Sequence, residues 1–154
     1  MRFEIVPLAG VGPVLLNMPR SEVPQLMGHL PKSIRKTPAC AYATDAFHNS
    51  GFQVFYAGPE PVVEYIELSR GSGLEAFFDG VDVFALPAVE LVERLSRRTP
   101  FDPSDPELGY SYVFPEWELA LWRPCLPEGN NDDDGRFFST VGIGVRGYFT
   151  EPSS

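Results

Sequence analysis

The sequence predicts a single compact α+β domain in which helices pack on one face of an antiparallel sheet. The chain has 154 residues with 44% apolar side chains, the size and composition of one ordinary globular domain. Two segments have the apolar periodicity of amphipathic helices, and several others alternate apolar and polar residues between Pro- and Gly-rich stretches. Single helices followed by runs of strands are typical of α+β architecture.

Strands are predicted wherever period-two alternation lies between turn residues. The turn signal Asp79-Gly80 separates two of them, at residues 74–78 and 81–84. The others cover residues 3–6, 51–58, 61–69, 110–114, 116–124 and 137–145, and the last of these has Val141, Ile143 and Val145 on one face.

The strand EWELALWRP carries most of the residues on which a functional hypothesis depends. Alternation directs Trp117, Leu119 and Leu121 to one face and Glu118, Ala120 and Trp122 to the other. Elsewhere, Glu64 and Glu67 are expected on opposite faces of their strand, because an odd separation along a strand changes the face.

Each predicted helix begins near a proline, at Pro19 and at Pro87, where the missing N–H group is not needed. Pro24 fits only if the first helix begins near Ser21, so that this proline stays in the first turn. The apolar stripes are Val23, Leu26, Met27 and Leu30 in the first helix, and Ala88, Leu91, Val92 and Leu95 in the second.

The two helices also mark a predicted internal repeat with an offset of 68 residues. Three positions are identical and four are apolar in both copies. We therefore predict two pseudo-repeats, at about residues 1–73 and 74–150, that share one sheet. The matched pairs are Gly12 with Gly80, Leu16 with Phe84, Met18 with Leu86, Pro19 with Pro87, Glu22 with Glu90, Val23 with Leu91, and Met27 with Leu95.

The charge of the chain is uneven and indicates which partners it favours. Residues 1–74 contain six acidic and six basic side chains, so the net charge of −9 falls entirely in residues 75–154. An acidic surface repels nucleic acids and anionic membranes, and it favours a protein with a basic surface. A solvated acidic face that serves only solubility is the alternative. With neither a signal-type N-terminus nor a long apolar segment, we expect a cytoplasmic protein.

The stretch GVGPVLLNMPRSEVPQLMGHLPK resembles the entry of the helix-plus-sheet module of the β-lactamase inhibitor protein and of the barrel-assembly lipoprotein. The shared positions are Met18, Glu22, Val23, Met27-Gly28 and Pro31, and Asn17 stands where that module has glycine. The segments VEYIEL, FDGVDVFALPAVELVERL and FPEWELALWRP resemble a family of small uncharacterised bacterial proteins. Some such acidic proteins are immunity partners of secreted toxins. Both resemblances imply binding rather than catalysis, and they identify no site residue.

A calcium-loop pattern occurs in EGNNDDDGR, where Asn130, Asp132, Asp134 and Gly135 occupy positions 1, 3, 5 and 6. Position 12, which needs a bidentate Glu, is Val141, and the flanking segments read as strands rather than helices. An EF-hand is therefore rejected. A solvated hairpin loop is the preferred interpretation, with a weak cation site as the alternative, and no cofactor or metal is predicted.

Catalytic candidates are few. His29, near the end of the first helix, is interpreted as a cap or surface residue. The series Asp45, His48, Ser50 is not accepted as a catalytic triad, because triads are assembled by the fold and not by adjacency. The two cysteines, Cys40 and Cys125, lack metal-site spacing and are predicted to be reduced and structural.

The leading hypothesis is a non-catalytic protein-binding module, with toxin neutralisation as its most concrete form. Its predicted surface combines outward aromatic side chains with carboxylates; core packing of those aromatics is the alternative. A rival hypothesis is a small-ligand protein or enzyme with a pocket that holds His48 or His29 beside a carboxylate. A third is a homodimer formed through a sheet edge. The predicted partner-binding residues are Tyr112, Phe114, Glu116, Glu118, Trp122, Asp132, Asp133 and Asp134.

Overall fold

A computed structural model describes residues 1–35, 38, 41–129 and 132–150. Within these residues the chain forms two sheets. The smaller contains, in spatial order, β3 (Val14–Leu15), β2 (Gly10–Val11), β1 (Arg2–Val6), β8 (Glu75–Phe78) and β9 (Val81–Asp82). The larger contains β10 (Ser111–Phe114), β11 (Leu119–Trp122), β12 (Thr140–Gly144), β7 (Val62–Ser69), β6 (Phe52–Ala57), β5 (Thr44–Phe47) and β4 (Lys32–Ile34).

The α+β class is confirmed, with strand predominating over helix, but there are two sheets where one was predicted. The larger sheet is antiparallel throughout, whereas β1 and β8 in the smaller sheet pair in parallel. The hydrophobic core lies between the sheets. Phe3 of β1 meets Phe52 of β6 with ring centroids 4.8 Å apart, and Phe78 of β8 meets Trp117 at 4.9 Å.

The second helix forms as predicted and belongs to this core. This helix, α2 (Ala88–Ser96), buries Ala88, Leu91 and Leu95. Arg94 of this helix and Arg98, two residues beyond its end, both reach the Asp79 carboxylate in the predicted Asp79-Gly80 turn between β8 and β9. None of the helices within the described ranges is long and apolar enough to span a bilayer.

The first helix is shorter than predicted. A 3-10 turn at Arg20–Glu22 leads into α1 (Val23–Met27), with Pro24 in the first turn as expected. The helix ends at Gly28, whose φ of 81° is left-handed, so Leu30 lies beyond it and is 85% exposed. Leu26 is also exposed, and within the helix only Val23 is buried. The predicted apolar stripe through Leu26 and Leu30 is therefore wrong.

The order of elements is similar in the two halves. Each half opens with a hairpin, continues with a proline-preceded helix, and ends in a central strand of the larger sheet, β7 or β12, which pair with each other. Pro19 and Pro87 both stand just before a helical segment with nearly the same backbone, at φ and ψ of −60° and 139° and of −54° and 143°. Duplication stays a prediction.

An aromatic cluster covers the outer face of the larger sheet. The rings of Tyr65 and Tyr148 stack in parallel at 4.7 Å, because the last described residues fold back over β7 and β12. Two glycines of β12 make this possible: a Cβ at Gly142 would lie 1.9 Å from the Tyr65 hydroxyl, and one at Gly144 would lie 2.5 Å from the Tyr148 ring.

Candidate protein-binding surface

Four large apolar side chains are exposed near one end of the hairpin formed by β10 and β11. Backbone pairing brings three of them together, since Ser111 pairs with both Leu108 and Trp122, and the Arg123 N–H donates to the Tyr110 carbonyl at 2.9 Å. Leu126 lies beside the same loop, because a Cβ on Gly109 would be 3.9 Å from its Cδ2. With the nearby carboxylates of Glu128, Asp132, Asp133 and Asp134 they form what we call the hairpin-end surface. The exposed fractions are 40% for Leu108, 41% for Tyr110, 40% for Trp122 and 45% for Leu126.

Arg123 holds the loops of this surface together. Its side chain is almost completely buried, and it donates from Nε to the Gly109 carbonyl at 2.9 Å and from Nη1 to the Gly135 carbonyl at 2.8 Å. The first carbonyl belongs to the loop that carries Leu108 and Tyr110, and the second to the acidic segment. Because one guanidinium donates hydrogen bonds to both loops, the apolar and acidic parts of the surface are held in a fixed position relative to each other.

The acidic segment is a capped helical turn. Strands β11 and β12 are consecutive and antiparallel, which confirms the predicted hairpin, but its connection contains the short helix α3 (Asp133–Arg136). Asp132 caps this helix by accepting from the Gly135 N–H at 3.3 Å, and it also accepts from the Glu128 N–H at 3.1 Å. Only glycine fits at position 135, because a Cβ there would lie 2.6 Å from the Leu126 carbonyl. Asn130 lies outside the described residues.

The outward charges of this segment are only partly neutralised. Asp134 forms a 2.8 Å ion pair with Arg70, yet its side chain remains 72% exposed. Asp133 and Glu128 are also exposed. In the part of the chain that is described, no three His, Cys, Asp or Glu side chains converge on a metal-sized site.

Two of the predicted partner-binding residues belong to the interior. Phe114 pairs across strands with Leu119, and Tyr112 pairs with Leu121. Directly opposed residues of antiparallel strands share a face, so both aromatic side chains point with these leucines towards the core. Phe114 is completely buried and Tyr112 is half-buried, with its ring 5.1 Å from that of Phe101. Placing them on the outer face with Trp122 was therefore wrong, although Trp122 itself is exposed.

Glu118 is a second correction, because its side chain is completely buried. Pro115–Trp117 forms a 3-10 turn and Glu118 follows with a left-handed φ of 47°, so the strand begins only at Leu119. Its Oε2 accepts from the Gly147 N–H and, at 3.3 Å, from the Thr150 hydroxyl. It thus fastens the last described residues to the sheet. Glu116, in the same turn, is exposed.

The two histidines meet, but not beside a carboxylate. Their ring centroids are 4.9 Å apart in a cleft of about 350 Å³ whose lining also includes Lys32 and contains no Asp or Glu. Partial burial, together with the charge of His29, lowers the pKa of His48. Asp45 lies elsewhere, with the Arg20 guanidinium at 2.7 Å, the Ser33 hydroxyl at 2.9 Å and the Tyr56 hydroxyl at 2.8 Å. The His–carboxylate pairing expected by the rival hypothesis is absent from this cleft.

The predicted partner-binding residues did not include five residues of this surface: Leu108, Tyr110, Arg123, Leu126 and Glu128. The segment TPFDPSDPELG before Tyr110 reads only as a connector, and Arg123 follows a strand with no motif around it. The available signal was the pair of large apolar residues Leu108 and Leu126, each within a Pro-, Gly- and acid-rich loop where apolar residues are uncommon.

Cys125 reports on the electrostatics of this surface, whereas Cys40 lies outside the described residues. Partial burial and the carboxylates of Asp132, Asp134 and Glu128 raise the pKa of the Cys125 thiol, and its sulfur lies 4.0 Å from Asp132 Oδ2.

In a Cys40→Ser protein, Glu128→Gln is expected to speed alkylation of Cys125 about twofold near pH 8, because removing a negative charge favours the thiolate. The measurement is the alkylation rate. The control Glu60→Gln changes a distant exposed carboxylate, and equal rates in the two variants would contradict the assignment.

Comparisons of the chain with models of protein families, with curated proteins and with solved structures give no match.

Proposed function

We propose that the protein is a non-catalytic binding protein that captures a partner with a basic surface through the hairpin-end surface. An immunity-type partner of a bacterial toxin is the most concrete form of this proposal, and its cytoplasmic location stays a prediction. The observation that carries it is the placement of four exposed large apolar side chains beside a segment of exposed carboxylates.

The apolar side chains supply the binding energy in this proposal. Trp and Tyr are favoured anchors at interfaces because each buries a large apolar area while keeping a polar atom available. Trp122 is the last residue of β11 and Tyr110 belongs to the loop before β10, and the buried Arg123 holds that loop. Such a preorganised surface loses little conformational entropy on binding.

The carboxylates supply attraction at longer range. All nine net negative charges belong to residues 75–154, and the connection between β11 and β12 contributes Glu128, Asp132, Asp133 and Asp134. A field of one sign accelerates the encounter with an oppositely charged protein and is screened by salt. The same negative charge repels a second copy of this chain, so we favour a basic partner over the homodimer.

Capture from native lysate at about 0.05 M and 0.5 M salt tests the electrostatic part of the proposal. The protein is expected to retain a basic partner at low salt, and Glu128→Lys with Asp133→Lys to weaken retention at least about tenfold. The matched control is Glu22→Lys with Glu60→Lys, which makes the same change in net charge on the first half and should retain the partner. The proposal fails if no partner is retained, or if both double variants behave alike.

A further inference from the structure

A second site lies on the outer face of the larger sheet, where a cleft of about 320 Å³ opens beside β6 and β7. We call it the Tyr148 cleft. Its walls include the rings of Tyr42, Phe55 and Tyr148, and its polar lining includes the carboxylate of Glu64. It is separate from the hairpin-end surface and shares no residue with it.

A β-bulge places Glu64 in this cleft. Strand β6 pairs Phe55 with Tyr65 and the next residue, Tyr56, with Val63, so Glu64 has no partner on β6. The extra residue shifts the alternation of side chains along β7, so Glu64 and Glu67 both lie near Tyr148. The prediction that their odd separation places them on opposite faces is therefore wrong. Burial, with the charges of Glu64 and Glu67, raises the pKa of Tyr148 to about 12. Bulges often redirect a side chain beside a functional site.

The aromatic walls are held in place by contacts outside the cleft. The Tyr42 hydroxyl donates to the Gly58 carbonyl at 2.6 Å, which fixes the ring at one side. At the other side the Tyr148 ring is stacked on Tyr65, and Tyr65 in turn lies 5.3 Å from Phe55 between ring centroids. The cleft therefore presents preformed π surfaces, whose faces carry partial negative charge.

The Glu64 carboxylate has no countercharge among the described residues. Burial raises its pKa, since the ionised form is partly removed from water. Across residues 1–35, 38, 41–129 and 132–150, no Lys, Arg or His forms an ion pair with Glu64. A half-buried anion between aromatic rings is stabilised by a cation that also has apolar surface. A hard metal ion fits poorly, because it requires several oxygen ligands.

We propose that the Tyr148 cleft binds an alkylammonium group, with Glu64 as its counterion and the rings of Tyr42 and Tyr148 against its methyl or methylene groups. Two sources share this chemistry: a free small amine and the side chain of a lysine on another protein. The cleft supplies both components of cation–π recognition, an electron-rich wall and a partly desolvated negative charge.

Titration of the wild-type protein, followed by NMR of the tyrosine rings and the Glu64 amide, tests the requirement for charge. The probes are choline and its uncharged isostere 3,3-dimethylbutan-1-ol, and Nα-acetyl-lysine methylamide with its Nε-acetylated, uncharged form. Saturable shifts are expected with at least one cation and not with its neutral partner. Choline alone identifies a free amine as the source, and the lysine derivative alone identifies a protein side chain. The proposal is overturned if neither cation binds, or if the neutral probes bind equally well.

Variants test the residues. Glu64→Gln keeps the shape of the side chain and should weaken binding of the active probe at least about tenfold, whereas Glu60→Gln, outside the cleft with the same change in charge, should leave it unchanged. Tyr148→Leu should also weaken binding, because it removes the π surface but retains apolar bulk. Unchanged affinity in Glu64→Gln contradicts the proposal. If that variant does not fold, the comparison of charged and neutral probes on the wild-type protein decides alone.

Discussion

Gly142→Ala is expected to lower the free energy of unfolding by about 3 kcal/mol, at the upper end of the usual cost of overpacking. Position 142 lies on the central strand β12, where an added Cβ would stand 1.9 Å from the Tyr65 hydroxyl and 2.4 Å from Cζ. Tyr65 cannot easily move aside, because its ring is stacked on that of Tyr148. Urea denaturation followed by circular dichroism measures the effect.

A second background separates this clash from any general intolerance of alanine in the strand. In a Tyr65→Leu protein the obstructing hydroxyl and ring are gone, so Gly142→Ala should cost much less than in the wild type. Equal costs in the two backgrounds would show that the close approach of Tyr65 to β12 does not determine the preference for glycine.

Arg123→Met is expected to destabilise the protein by about 3 kcal/mol. The variant keeps much of the buried apolar stem but removes both guanidinium hydrogen bonds, which leaves the carbonyls of Gly109 and Gly135 without this donor. Hydrogen bonds from charged donors contribute about 1.5–3 kcal/mol each, and an unsatisfied buried acceptor costs a similar amount. The same urea denaturation measures the loss.

Arg136→Met is the matched control, because Arg136 is exposed and its guanidinium lies over the Phe137 ring at 5.1 Å. This variant removes an equal charge from the same segment and is expected to change stability by about 0.5 kcal/mol or less. A loss in the control as large as that of Arg123→Met would contradict the special role of the buried guanidinium.

Local patterns predicted those parts of the fold that depend on one repeating period. The helix α2 and the strands β6 and β12 were anticipated because their apolar side chains recur with unbroken helical or strand spacing. The parallel pairing of β1 with β8, which creates a second sheet, joins the opening strands of the two predicted repeats, about 70 residues apart in the chain. No local period encodes a pairing of that kind.

The errors occur where one residue interrupts the period. Left-handed Gly28 ends α1 before Leu30, and left-handed Glu118 precedes the strand that was predicted to include it. The bulge at Glu64 has the same effect within β7. In each case the backbone conformation of a single residue determines where the regular spacing ends. The sequence around that residue is compatible with more than one conformation, so it does not predict the interruption.

The candidate surface was predicted in part for the same reason. Trp122, Glu116, Asp133 and Asp134 are exposed, because loops and outward strand positions are readable from polarity and alternation. Phe114 is interior because its pairing with Leu119 directs it towards the core, and Glu118 is buried because the last described residues cover it. The contribution of Arg123 depends on two carbonyls distant in sequence, which only the folded chain brings together.

Site-specific photo-crosslinking tests the central claim most directly. A photoreactive phenylalanine analogue is placed at Trp122 or Leu126 of the hairpin-end surface and, as a control, at Val89, which is 66% exposed on α2. After irradiation in native lysate, we expect positions 122 and 126 to give the same crosslinked basic protein, with a yield that falls at high salt and in Glu128→Lys with Asp133→Lys. Position 89 should not give it. The account is contradicted if that product forms from position 89 and not from position 122, or if neither position of the hairpin-end surface gives a salt-sensitive product.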